Sequence, residues 1–195
     1  MRETLLVILV GASLTGCLGP VPVSLPAIPP PPMPEQGLRV SVMVADDRSE
    51  KLPSRVGVAR DYNRDVVLVG HASLAAALED ELVSALRARG YRADHLGDTP
   101  AADVSVLVRI VRFATDVPAL GSVRFQGRSV LVAQATASQA PDSVWADIVD
   151  TRDEIVDANL AIPEAGALVE RFFRKAATDL AQRVSTGLPP ARRES

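Results

Sequence analysis

The sequence is poor in aromatic residues and cysteine and has no excess of basic residues. Each of these features excludes a kind of core, cross-link or partner. Aromatic residues make up 4% of its 195 residues, so valine, leucine, isoleucine and alanine must build most of the core. The single cysteine excludes an internal disulfide bond. The net charge is −3, whereas proteins that bind the phosphate backbone usually have a positively charged surface. This argues against nucleic acid as a partner.

The one cysteine, Cys17, follows a short apolar leader. Residues 4–14 are apolar, but at about 1.5 Å per residue they are too short to cross a hydrocarbon core of about 30 Å. Residues 14–17, LTGC, resemble the lipobox of bacterial lipoproteins, in which small residues admit a peptidase and the thiol accepts a diacylglyceryl group. The pattern predicts a signal peptide over residues 1–16 and lipid attachment at Cys17. The alternative is a buried cysteine in an apolar helix.

Lipid on this cysteine predicts a lasting membrane anchor. Each buried CH₂ group of an acyl chain contributes about 0.8 kcal/mol, so two or three acyl chains hold a protein at the bilayer essentially permanently. The next residue is Leu18 rather than aspartate, and such lipoproteins of a Gram-negative cell usually go on to the outer membrane. We therefore expect an envelope protein that is anchored by lipid, such as palmitate, and faces the periplasm.

Proline dominates the segment after the cysteine. Eight of the fifteen prolines lie between Pro20 and Pro34. Because proline removes backbone donors and restricts φ, we expect residues 17–37 to form a lipidated, extended tether rather than a helix or an inner strand. A globular domain is predicted over residues 38–187 and a disordered tail over residues 188–195.

Within the predicted domain, apolar residues alternate between strand and helix periods. One helix is predicted from the N-cap Ser73 to Gly90, and another from Pro163 to Gly187. Together these patterns predict an α+β domain with a mostly antiparallel sheet and two amphipathic helices packed on one face. Period-two runs predict strands over residues 38–44, 56–60, 65–69, 103–113, 123–137 and 143–156.

The order of these elements suggests a family. Val40 leads into residues 45–48, ADDR; Val56 and Gly57 begin a hairpin; and a leucine-rich helix ends at residues 90–91, Gly-Tyr. These features resemble the YajG-type lipoproteins of Gram-negative envelopes over most of the domain. Members of that family are largely uncharacterised, so the resemblance implies a fold and an envelope location rather than an activity. Related small lipoprotein domains serve, by analogy, as accessory parts of transport or secretion machines.

Two groups of polar residues are candidates for a metal or catalytic site. Asp46, Asp47 and Glu50 carry the carboxylates that a hard cation prefers, but neighbouring positive charge favours a solvated turn. His71 and His95 lack the close spacing of a metal site. No nucleophile motif or phosphate-binding glycine loop accompanies them. We therefore expect no catalytic residue, no metal and no cofactor.

Charged residues mark the strand face that is predicted to lie away from the core. Arg109, Arg124 and Arg128 would form a basic platform for an anionic lipid head group or a glycan. Acidic residues on the next strand favour instead a solvated face of cross-strand ion pairs, each contributing a few tenths of a kcal/mol. These acidic residues are Asp147, Asp150 and Asp153.

The large aromatic rings separate two further possibilities. Phe172 fits the apolar stripe of the last helix and is predicted to be core. Phe173 is expected at the core edge, but an exposed Phe173 would mark a partner surface. Trp145 is the third of these large rings.

Three functions remain to be compared. The favoured one is a non-catalytic, lipid-anchored interaction or accessory module of an envelope complex. The second is a binder or carrier of an amphiphilic lipid or glycan, which an enlarged apolar pocket with convergent arginines would support. An enzyme would need a cleft where Asp46, Asp47 and His71 converge. A filled core with an exposed edge strand would favour the module.

Overall fold

The structure is a computed structural model, and it describes part of the chain. Within that part it contains one sheet and two helices. The described residues are 20–25, 29–49, 52–61, 64–70, 72–98, 101–117, 123–138, 140–157 and 162–191. The elements are β1 Val21–Val23, β2 Arg39–Asp46, β3 Arg55–Asp61, β4 Arg64–Gly70, α1 Leu74–Ala88, β5 Arg92–His95, β6 Val104–Val117, β7 Val123–Ala137, β8 Ala140–Asp157 and α2 Ile162–Gly187.

The eight described strands form a single mixed sheet. Strand β6 is its centre: it pairs in parallel with β2 and, at its far end, with β3, and antiparallel with β7 on its other side. Strand β5 pairs in parallel with β2, and β1 with β4. The hairpin β3–β4 and the pair β7–β8 are antiparallel.

These pairings confirm the α+β class and correct one part of the prediction. The expectation of a mostly antiparallel sheet was wrong, because four of the seven pairings between described strands are parallel. The β3–β4 hairpin and α1 separate β2 from its parallel partners along the chain, and such a crossover returns the chain in the same direction. Period-two patterning identifies a strand but carries no information about the direction of its neighbour.

Helix α1 begins and ends where the sequence predicts. The Ser73 side chain accepts a hydrogen bond from the Ala76 amide at 3.1 Å, which satisfies a free donor of the first turn. Gly90, at φ 89°, lies in the left-handed region just beyond the helix, where glycine carries no steric penalty. Leu78, Leu82 and others of the predicted stripe are buried.

Both helices pack on the same face of the sheet, as predicted. Helix α1 lies against β2 and β5, α2 lies against β7 and β8, and the two helices contact each other. Phe172 on α2 packs between Phe113 and Phe125, with ring centroids 5.3 Å and 6.1 Å apart. Gly127 on β7 makes room for that ring, since a Cβ atom there would stand 2.7 Å from it. Neither described helix has the length and apolarity needed to cross a membrane.

The structure also shows contacts at both ends of the predicted domain. Val21–Val23 of the proline-rich segment lies at the sheet edge, which is where proline is tolerated in a sheet, and Val23 is buried. From the predicted tail, Leu188 is buried, and the Ala191 carbonyl accepts a hydrogen bond from the Leu38 amide at 3.0 Å. The Tyr91 hydroxyl donates to the Pro189 carbonyl at 3.1 Å. Segments outside residues 38–187 therefore contact the domain.

Candidate functional site

The acidic turn after β2 is a structural junction. The Asp46 carboxylate accepts hydrogen bonds from the Arg48 guanidinium at 2.7 Å and 2.8 Å. Burial alone would raise the pKa of Asp46, but the hydrogen bonds and charge of Arg48 outweigh it and lower that pKa. Arg48 also donates to the Arg55 carbonyl at 2.9 Å, which ties the end of β2 to the start of β3. Asp47 forms an ion pair with Arg109 at 3.5 Å.

These partners leave the turn without a cation-binding arrangement among the described residues. No group of three or more histidine, cysteine, aspartate or glutamate side chains in that part of the chain is placed to hold a metal ion. Glu50 and His71 lie outside the described residues, as does Cys17. The convergence of Asp46, Asp47 and His71 that an enzyme would need is therefore not seen, and it stays untested.

His95 connects α1 to the sheet. Its Nδ1 atom lies 2.8 Å from Glu79 Oε1, and its Nε2 atom lies 3.5 Å from Asp80 Oδ1. The other Glu79 oxygen accepts a hydrogen bond from the Val44 amide at 2.9 Å. Sequence reasoning missed this cluster because β5, which carries His95, has only four residues and was not predicted. The available signal in the sequence was Glu79, a charged residue within the predicted helix.

The predicted cross-strand ion pairs form only in part. Arg128 and Arg152 both contact the Asp150 carboxylate, at 3.1 Å and 2.9 Å. Hydrogen bonds from Arg152 and then Arg128 lower the pKa of Asp150 to about 2. The pairing predicted between Arg128 and the next strand is therefore confirmed at Asp150. The Arg124 side chain lies outside the described part of the structure.

The placement of the other two aspartates on the arginine face was wrong. Asp153 lies 3.5 Å from Arg171 on α2, and Asp147 lies 3.8 Å from Arg183 on the same helix. Side chains alternate along a strand, so odd-numbered residues of β8 face the helix side while Asp150 faces away from it. Strict alternation of odd and even positions along β8 would have placed Asp147 and Asp153 on the face opposite to Asp150.

A polar cleft of about 650 Å³ crosses β6, β7 and β8 near one end of the sheet. Arg112, Arg128 and Arg152 line it, but they share it with Asp116 and Glu154. Asp150 already engages two of these arginines. The cleft is open and of mixed charge, unlike the apolar pocket with convergent arginines that a carrier of an amphiphile would need.

The space beneath the helices is filled by side chains. Phe172 and Phe173 are both fully buried, which confirms Phe172 as core and excludes Phe173 as an exposed partner surface. Trp145 is partly buried and packs against the core. Exposed apolar side chains instead lie on the opposite face of the sheet, where Val111 is 50% exposed and Ile148 is 64% exposed.

Ile148 belongs to β8, the outermost strand on this side of the sheet. Among the described strands, β8 pairs only with β7, so its other edge is open. A groove of about 360 Å³ follows this open edge. We call it the edge groove; residues 148–151 of β8 line one side, and Asp179, Gln182 and Arg183 of α2 line the other.

Comparisons with known proteins show a shared fold. The sequence matches no protein-family model, and no curated protein resembles it. The structure is similar to the crystal structure of protein XCC0632 from Xanthomonas campestris, of the DUF330 family, with a TM-score of 0.59 and 13% identity. The match covers 86% of this chain and 95% of that one. At this identity the similarity shows the fold alone.

Two lipoproteins resemble the structure less closely. A minor lipoprotein from Acinetobacter baumannii has a TM-score of 0.41 and 10% identity, over 72% of this chain and 98% of that one. Lipoprotein GNA1162 from Neisseria meningitidis has a TM-score of 0.37 and 10% identity, over 71% of this chain and 99% of that one.

Proposed function

We propose that this chain is a lipid-anchored lipoprotein of the cell envelope that acts as a non-catalytic interaction or accessory module of an envelope complex. The observation that carries the proposal is β8, a strand of 18 residues that packs on the buried core and has one edge without a partner among the described strands. Exposed Ile148 marks that strand as an apolar contact surface. An exposed edge over a filled core is what an interaction module requires and what a carrier does not.

The polar groups support the same proposal. Asp46 and His95, the described residues that most resemble catalytic or metal-binding groups, are engaged by Arg48 and Glu79 in contacts that join secondary-structure elements. Such groups stabilise the fold without facing a substrate cleft. The open cleft holds both signs of charge, which gives an anionic amphiphile no preferred site.

The membrane anchor belongs to the proposal as well. We propose that Cys17 carries the lipid, that the protein faces the periplasm from the outer membrane of a Gram-negative cell, and that it is related to the YajG-type lipoproteins. Cys17→Ser should abolish palmitate labelling and leave an unprocessed precursor, because serine cannot form the thioether. Metabolic labelling measures this directly. Undiminished label in the variant would contradict the anchor.

In-cell cross-linking tests the interaction surface. A photo-reactive amino acid at Ile148 in the lipidated full-length protein should give a discrete adduct with one envelope protein. Leu96 is the matched control and should give no adduct. It is 55% exposed and follows β5, at the end of the sheet far from β8. Cys17→Ser should remove the adduct by taking the protein away from the membrane. Equal adducts from both positions, or none from either, would overturn the module.

A further inference from the structure

The edge groove follows the backbone of β8 rather than one face of it. Its lining includes four consecutive residues, 148–151, whose side chains point alternately to opposite faces of the sheet. A groove that touches all four must run along the strand edge, and β7 occupies the other edge. The α2 residues opposite, Asp179, Gln182 and Arg183, have the spacing of one helix face.

Backbone hydrogen-bonding groups lie along the outer edge of β8, in the groove and beside it. The Ile148 amide is bound by the Asp147 side chain at 2.8 Å, and the Arg152 carbonyl accepts from Lys175 at 2.6 Å, so both point away from β7. The alternation of an antiparallel ladder directs the amides and carbonyls of Ala146 and Asp150 to the same side. No hydrogen-bond partner takes up these groups among the described residues.

The side chains set the limits of the groove. Lys175 covers the Arg152 carbonyl and closes one end, so the stretch available for pairing is about five residues long, 146–150. The Asp147 carboxylate covers one amide in the middle. Covering of this kind is how proteins restrain an open edge from pairing at random. The free part is as long as the strand that a short peptide contributes when it extends a sheet.

Charge varies along the groove. Helix α2 runs antiparallel to β8, because Asp179 accepts a hydrogen bond from Thr151 at 2.8 Å while Arg183 lies 3.8 Å from Asp147. One end of the groove therefore carries the Asp179 carboxylate, and the other carries the Arg183 guanidinium, which is also 3.8 Å from Asp147. The two ends lie four strand residues apart, so a peptide strand would meet them with two side chains of the same face.

We infer that the edge groove binds an extended peptide segment of the partner protein, which adds to β8 as a further strand. The segment presents a basic residue to Asp179 and an acidic residue, four positions away, to Arg183. An apolar residue between them packs beside Ile148. This inference rests on the proposed interaction module and names how that module binds.

The test uses the mature full-length lipoprotein in detergent and a phage library of random twelve-residue peptides. Enriched peptides should lack proline across the paired stretch and carry basic and acidic residues four positions apart. Ala146→Pro removes an amide on the free edge and leaves the ladder to β7 intact, so it should weaken binding of an enriched peptide at least about fivefold. Ala146→Ser keeps the amide and is the matched control, with unchanged binding expected.

Hydrogen exchange reports where the peptide lies. Bound peptide should slow exchange of the Ala146 and Asp150 amides. Absence of enrichment, equal binding by the proline and serine variants, or protection elsewhere would overturn strand addition. Concentration-dependent protection of the same amides without peptide would also overturn it, because the occupant would then be a second copy. If strand addition fails while the Ile148 adduct in cells persists, the module stands and contacts its partner through the sheet face.

Discussion

Two edge strands of the sheet, β5 and β8, differ in how much of their outer edge is covered. Strand β5 has four residues, and side chains cover two of its outward groups: Arg87 donates to the Ala93 carbonyl at 2.7 Å, and Asp94 accepts from the His95 amide at 3.0 Å. Strand β8 has 18 residues and leaves a stretch uncovered beside a groove. Of these two described edges, the one on β8 therefore offers the longer stretch for strand pairing.

The position of β8 beside its groove depends on the packing of α2 against the sheet. Phe172→Ala should lower the free energy of unfolding by about 3–5 kcal/mol, because the ring is fully buried between Phe113 and Phe125. Chemical denaturation measures the loss. Arg174→Ala on the exposed side of the same helix is the control, at less than about 0.5 kcal/mol. Similar losses in both variants would mean that the helix face is assigned wrongly.

The contact between α1 and the β2–β5 end of the sheet depends on Glu79. Glu79→Ala should cost about 1–3 kcal/mol, because it leaves the Val44 amide without its acceptor and His95 without its closest carboxylate. Asp80→Ala should cost less than about 0.5 kcal/mol, since that carboxylate is half exposed and 3.5 Å from His95. Thermal unfolding of the two variants distinguishes them. Equal costs would show that charge alone, and not the amide contact, joins α1 to the sheet.

Low pH should destabilise the protein through Asp150, which lies on β8. Its pKa is about 2 in the folded protein, below the ordinary value of 3.8, so the folded state favours the ionised carboxylate. The stabilisation is complete above the ordinary value and is lost as the pH falls through about 2. The melting temperatures of the wild type and Asp150→Asn should therefore differ near neutral pH and converge in strong acid. A difference that does not change with pH would contradict the ion-pair origin.

The smallest effect is expected at Ile148. Ile148→Thr should change the free energy of unfolding by less than about 0.5 kcal/mol, because the side chain is 64% exposed and threonine suits a strand equally well. Denaturant titration checks this. A loss above about 1 kcal/mol would mean that isoleucine is retained there for stability rather than for a partner.

Local patterns predicted much of the fold. The Ser73 cap, the Leu78 and Leu82 stripe and the β3–β4 hairpin appear where the sequence places them. Each depends on contacts between residues that are close along the chain. Strand β5 was missed because four residues are too few to show a period, and the parallel pairings were missed because strand direction depends on crossovers.

The candidate site was less accessible from sequence. Asp150 was placed correctly on the arginine face, where it pairs with Arg128, but Asp147 and Asp153 were placed on the wrong face. The edge groove has no sequence signature at all. It exists because α2, far along the chain, packs beside a strand whose outer edge finds no partner among the described strands.

By itself the sequence determined the helices, the hairpin and the α+β class, and it predicts the lipid on Cys17. Caps, periods and a four-residue motif act over a few neighbouring residues, so their chemistry is complete in a short stretch of chain. Tertiary structure alone decided which strands run parallel, which charges meet and which edge stays open. Those outcomes depend on contacts between residues such as Thr151 and Asp179, which only the packing of a whole helix on a whole sheet brings together.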